Sequence, residues 1–106
     1  MNTITTAGNE EILGDYFIKI LSEDSCTRMY PFGSEQSRLK GLEPLLRNEI
    51  KHDDGTEKQY FFCREILDEY KERICSWTEG TLIATIDEDG NYISDLYPNL
   101  LDKNAA

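Results

Sequence analysis

The chain has 106 residues, with 21 acidic against 11 basic side chains and a formal net charge of −10. That length suits a single domain over residues 1–106, and an apolar fraction of 39% with ten Phe and Tyr plus Trp77 excludes a disordered chain. The charge excludes nucleic acid and anionic membrane as direct partners, because phosphate binding asks for a Lys/Arg patch that the sequence does not show.

Taken in chain order, residues 1–8 read as a frayed lead-in. Asn9 can cap a helix whose first turn holds Glu10 and Glu11. Ile12, Leu13, Tyr16, Phe17, Ile20 and Leu21 then recur at helical spacing, although "DYFIKIL" has strand composition too and residues 15–21 stay open between the two. Pro31 and Gly33 punctuate a connection in which residues 26–30, "CTRMY", suit a short strand. Ser34 starts a stretch with Leu39, Leu42, Leu46 and Ile50 on one side. Gly41 and Pro44 interrupt it, which predicts a short turn and then a helix from near Glu43.

"HDDG" at 52–55 is a loop. Thr56 to Gln59 fits a capping box, and Phe62, Cys63, Ile66, Leu67, Tyr70, Ile74 and Trp77 then give a helix over 57–77. Gly80 ends it. "TLIATI" and "YISDLY" flank "DEDGN", a hairpin over 81–86 and 92–97 with Gly90 at positive φ in the turn, and residues 103–106 fray. The expected fold class is α+β, about three helices packed with a C-terminal antiparallel β-hairpin and one extra short strand near residues 26–30.

Cys26, Cys63 and Cys75 are odd in number and have no paired spacing. On one helix Cys63 and Cys75 would stand ~18 Å apart, too far to bridge, so free thiols in a reducing compartment are expected. The first residues show no basic segment followed by an apolar core, and no apolar run approaches a membrane span, which points to the cytoplasm.

Motifs for chemistry are few. His52 is the lone histidine and sits in a polar loop beside Asp53 and Asp54. Asp87 to Asn91 resembles a calcium loop only until the spacing is counted: position 6 is Tyr92 and position 12 is Pro98, where Gly and Glu are required. No Gly-rich phosphate loop exists. The sequence therefore predicts no catalytic residue, no metal and no cofactor, and a protein that is not an enzyme.

What stands out is charge placement. Residues 1–53 carry nine acids and six bases; residues 54–106 carry twelve and five, and residues 79–102 hold six acids and no base. Glu79, Asp87, Glu88, Asp89 and Asp95, with Tyr92 and Tyr97 as aromatic anchors, are the expected partner-binding residues, because steering charges around Tyr or Trp anchors are what tight protein interfaces use. The expected function is an acidic inhibitor of a basic, nucleic-acid-acting protein: a nuclease-toxin immunity protein, an antitoxin or an anti-defence DNA mimic. The partner is a basic nuclease, toxin or nucleic-acid-binding enzyme, and monomer and homodimer both stay open. A small acidic secretion-type chaperone binding an effector segment is the alternative. An enzyme built on Cys26, Cys63 or His52 ranks last.

Overall fold

A computed structural model describes residues 12–67, 74–78 and 80–101, with the side chains of 74–76 left out. Period-two alternation governs the first described segment. Strand β1 (Ile12–Ser22) sends Ile18 and Ile20 to one side, both fully buried, and Phe17 to the other. Strand β2 (Thr27–Phe32) folds back against it through a turn in which Asp24 accepts a hydrogen bond from the Cys26 amide.

On the other side of β1 lies β3 (Lys58–Leu67), pairing Phe17 with Cys63, Ile18 with Phe62 and Ile20 with Tyr60. Strands β4 (Ile74–Trp77) and β5 (Thr81–Ile86) run end to end along the far edge of β3: β4 pairs with Glu65–Leu67 and β5 with Lys58–Phe62. Strand β6 (Tyr92–Ile93) flanks β5. The described strands form one antiparallel sheet in the order β2-β1-β3-β5-β6, with β4 sharing the row of β5. Helix α1 (Glu35–Lys51) joins β2 to β3 and packs on one face.

The architecture is mostly β with one described helix, not three helices and a hairpin, so the α+β expectation is overturned. The expected helix from Asn9, left open against a strand at residues 15–21, is strand β1 from Ile12 onward; Asn9 to Glu11 lie outside the described residues. The expected helix over 57–77 is strands β3 and β4, with 68–73 outside the described residues. Both misreadings have one cause. β1 and β3 are central and bury side chains on both faces, so their apolar residues come in adjacent pairs, as on a helix. On the face away from α1, Phe17 meets Trp77 edge-on with ring centroids 4.5 Å apart, and Lys19 sits over the Phe61 ring. The Thr56 capping box does not form either, since the Thr56 amide and hydroxyl both donate to Asp54. Cys63 and Cys75 occupy neighbouring strands rather than one helix, which removes the spacing argument, while Cys26 and Cys63 are free thiols. The short strand at 26–30 is present and reaches Phe32, and β5 matches 81–86, but its partner is shorter than 92–97.

Helix α1 also begins earlier than expected. Ser34 caps it: its hydroxyl accepts from the Ser37 amide at 3.1 Å, and the Ser37 hydroxyl accepts from the Ser34 amide at 3.1 Å. The helix then runs unbroken through Gly41 and Pro44 to Lys51. Pro44 is exposed, so the Lys40 carbonyl that it leaves without a helical donor can turn to water. Gly41 faces β2, where a Cβ would stand 2.5 Å from the Phe32 ring.

The core beneath α1 contains Ile18, Ile20, Leu42, Leu46, Tyr60, Ile83, Ala84 and Ile86. Residues 94–101 fold back over it: Tyr97, Leu100 and Leu101 pack inward, and Ser94 donates to the Ile83 carbonyl at 2.6 Å. Ile83 and Ala84 are both buried because a bulge in β5 sets both against one position of β3, between Tyr60 and Phe61.

One polar cluster crosses this core. Glu49 of α1 is buried, takes a two-pronged ion pair from Arg28 of β2 at 2.7 and 3.0 Å, and accepts the Tyr60 hydroxyl of β3 at 3.1 Å. Burial pushes the Glu49 carboxyl up, but the Arg28 hydrogen bonds and charge outweigh it and leave it below the usual range. Burial and the Glu49 charge push the Tyr60 phenol far up.

Two predictions follow from this packing. Gly41→Ala improves helix propensity yet lowers stability, by about 1–3 kcal/mol of overpacking against Phe32, read from urea denaturation; an unchanged or raised midpoint contradicts the close approach. Glu49→Ala costs about 2–3 kcal/mol, at the lower end for a broken ion pair because Arg28 is 35% exposed and can rehydrate. Since the folded Glu49 pKa lies below its unfolded value, its contribution is present above the ordinary glutamate range and is lost as pH falls through the folded value. The wild type therefore loses more stability than Glu49→Gln between pH 5 and pH 3.

Candidate functional site

The antiparallel order brings three connections to one end of the sheet. β1 ends at Ser22 beside Lys58, where β3 starts, and Lys58 lies beside Ile86, where β5 ends. The 22–26 turn, the 52–57 loop after α1 and the 87–91 turn therefore stand together. They carry Glu23, Asp24, Asp53, Asp54, Glu57, Asp87, Glu88 and Asp89, of which all but Asp53 and Asp87 are exposed. Hydrogen bonds tie the loops: the Glu23 amide donates to the Glu57 carbonyl at 3.1 Å, and the Glu57 amide to the Glu23 carboxylate at 2.6 Å. The Asp53 carboxylate lies 3.4 Å from where a Cβ on Gly90 would stand.

Of the bases nearby, Lys51 at the end of α1 is exposed and two others are engaged by acids. Lys58 is buried and donates to Asp54 at 2.7 Å and to the Thr56 hydroxyl at 3.0 Å, while Arg28 is held by Glu49. Lys58 first, then Thr56, holds the Asp54 carboxyl far below its usual range. One Asp53 oxygen, Oδ1, is buried with no hydrogen-bond partner. Like charges crowded this way repel one another, and a cationic surface brought against them relieves the repulsion.

The residues expected at the partner surface divide. Glu88 and Asp89 are exposed at the tip of the 87–91 turn. Asp87 builds that turn: its carboxylate accepts the Asn91 amide at 2.9 Å and the Asp89 amide at 3.0 Å, bonds that lower its pKa, led by Asn91, and Gly90 takes φ 83° as expected. Tyr92 and Tyr97 are half-buried against the core, and the Tyr92 hydroxyl donates to the Tyr97 carbonyl at 2.7 Å. Asp95 is exposed but lies part-way along β5, beside Leu82 and Thr85. Glu79 is outside the described residues. Glu23, Asp24, Asp53, Asp54 and Glu57 were missed, because the sequence spreads them over two segments that only the sheet register joins.

Cys26 and His52 border one cavity of about 260 Å³ at this end, together with Asp24, Arg28, Glu49 and Lys58. Among the described residues no hydrogen bond joins Cys26 to His52; the imidazole Nδ1 lies 3.0 Å from the Asn48 carbonyl. The Cys63 thiol is buried, and burial pushes its pKa up, away from a nucleophile's range. Among the described residues no group of three or more His, Cys, Asp or Glu could hold a metal ion, and no helix is long and apolar enough to cross a membrane.

No known family model, curated protein or solved structure matches the chain.

If Asp87 is a structural residue and Glu88 a surface charge, Asp87→Ala lowers the thermal midpoint while Glu88→Gln leaves it unchanged. Calorimetry reads both, and equal midpoints for the two variants contradict this division.

Proposed function

We propose that the protein is an acidic inhibitor that docks its carboxylate-rich sheet end onto a basic, nucleic-acid-acting protein in the cytoplasm. The observation that carries this reading is the convergence of eight carboxylates from three separate connections, with Lys58 engaged by Asp54 and Arg28 by Glu49. A site evolved to hold phosphates along a strand offers the matching array of Lys and Arg. Long-range attraction of that kind acts on the encounter rate, by 10- to 1000-fold, and fades with salt. The half-buried positions of Tyr92 and Tyr97 shift the contact toward charged and backbone groups, and away from aromatic anchors.

The test uses the protein as bait in lysate at low salt, followed by association kinetics of each recovered basic protein. Glu23→Gln, Asp24→Asn, Glu88→Gln and Asp89→Asn combined leave Asp87 and the turn intact. The expected result is a nuclease, toxin or nucleic-acid-binding enzyme whose association slows at least ~10-fold in this variant and loses its salt dependence. A partner that binds the variant at the wild-type rate overturns the placement, and capture of an unfolded effector segment instead favours the chaperone reading.

A further inference from the structure

The opposite end of the molecule holds two arginines close together. A cleft of about 430 Å³ opens between the start of α1, the distal part of β3 and the β4–β5 junction. Its charged lining is Arg38 and Glu35 from α1 and Arg64 from β3. Neither arginine makes an ion pair with a described residue, in a chain of net charge −10.

Arg38 is only 7% exposed. Its guanidinium lies over the Phe62 ring, 4.1 Å from the centroid, and its Nη1 donates to the Cys63 carbonyl at 2.9 Å. Its Nε is buried with no hydrogen-bond partner, and Nη2 has none among the described residues. Nε is closed off, so Nη2 is the donor that Arg38 can offer to an oxyanion in the cleft. Arg64 stacks on Tyr16, 3.9 Å from the ring centroid, and spends Nε and Nη2 on the Gly14 carbonyl, which leaves Nη1 without a partner among the described residues. Thr78 adds a hydroxyl that accepts from the Arg64 amide at 2.8 Å and keeps its own proton to donate.

Burial of an arginine with orphaned donors is costly unless something satisfies them. Packing alone accounts for the Phe62 and Tyr16 stacks. It does not account for two neighbouring guanidiniums, both fixed by backbone carbonyls, with Glu35 acting on Arg38 through space but hydrogen-bonded to neither.

We propose that this cleft binds the phosphate group of a small phosphorylated molecule, with Arg38 and Arg64 as its two charged donors. An anion offsets the charge by which the two arginines exceed Glu35, and a tetrahedral group offers oxygens to donors arriving from different elements. The cleft exceeds the volume of a phosphate, so the remainder of the ligand has room against Phe62 and Tyr97.

The test is a titration of the isotope-labelled full chain with inorganic phosphate, with sodium chloride at matched ionic strength and sodium acetate as controls, read by amide shifts. The expected result is saturable movement of the Gly80, Thr81 and Arg64 signals with Kd on the order of 1–10 mM, and at least ~10-fold weaker binding by Arg64→Gln. Arg38→Lys keeps the charge but removes the Nη2 donor and is expected to weaken binding likewise; it serves should Arg64→Gln fail to fold. Phosphate shifts no larger than those of chloride overturn the proposal. So does acetate binding as tightly as phosphate, or unchanged phosphate binding by a folded variant.

Discussion

The Glu49 carboxylate is the point where the helix, the outer strand and the central strand are tied. Here a charged group enters the apolar core and takes donors from β2 and β3 at once. A buried carboxylate is tolerated only with such partners. In return it fixes how α1 lies on the sheet, since a sliding or rotating helix would strand the charge. Gly41 against Phe32 sets the separation near the middle of the same helix. With the helix placed, its last turn delivers the 52–57 loop to the end of the sheet where the two turns stand.

The separation of charge follows from that arrangement. Antiparallel order puts the 22–26 turn, the 52–57 loop and the 87–91 turn at one end and the start of α1 with Arg38 and Arg64 at the other. The acidic excess of the described connections is thus concentrated, while two arginines stay without an ion pair to a described residue some distance away. Each end can meet a different kind of ligand: a cationic protein surface at one, a small anion at the other.

Legibility in the sequence tracked locality. The 87–91 turn, Gly90 at positive φ, strand β5 and the short strand in 26–30 depend on neighbours a few residues apart, and they were readable. β1 and β3 were not, because burial on both faces erases alternation and leaves adjacent apolar pairs such as Phe61 and Phe62. Helix α1 was read too short because Pro44 and Gly41 look like breaks in isolation. Pro44 is tolerated on an exposed face, and Gly41 is required by Phe32 from another element. The acidic surface was half visible: Glu88 and Asp89 lie in a run, whereas Glu23, Asp24 and Glu57 join them only through strand register. The arginine cleft gave no signal, since Arg38 and Arg64 are 26 positions apart and each has ordinary neighbours.

Hydrogen-exchange footprinting of the complex with the proposed basic partner tests the central claim most directly. The account predicts protection confined to residues 22–26, 52–57 and 87–91, with the Arg38 and Arg64 cleft exchanging as in the free protein. Protection centred on the cleft, or on the sheet face carrying Lys19 and Phe61, with the three acidic connections unchanged, would contradict it.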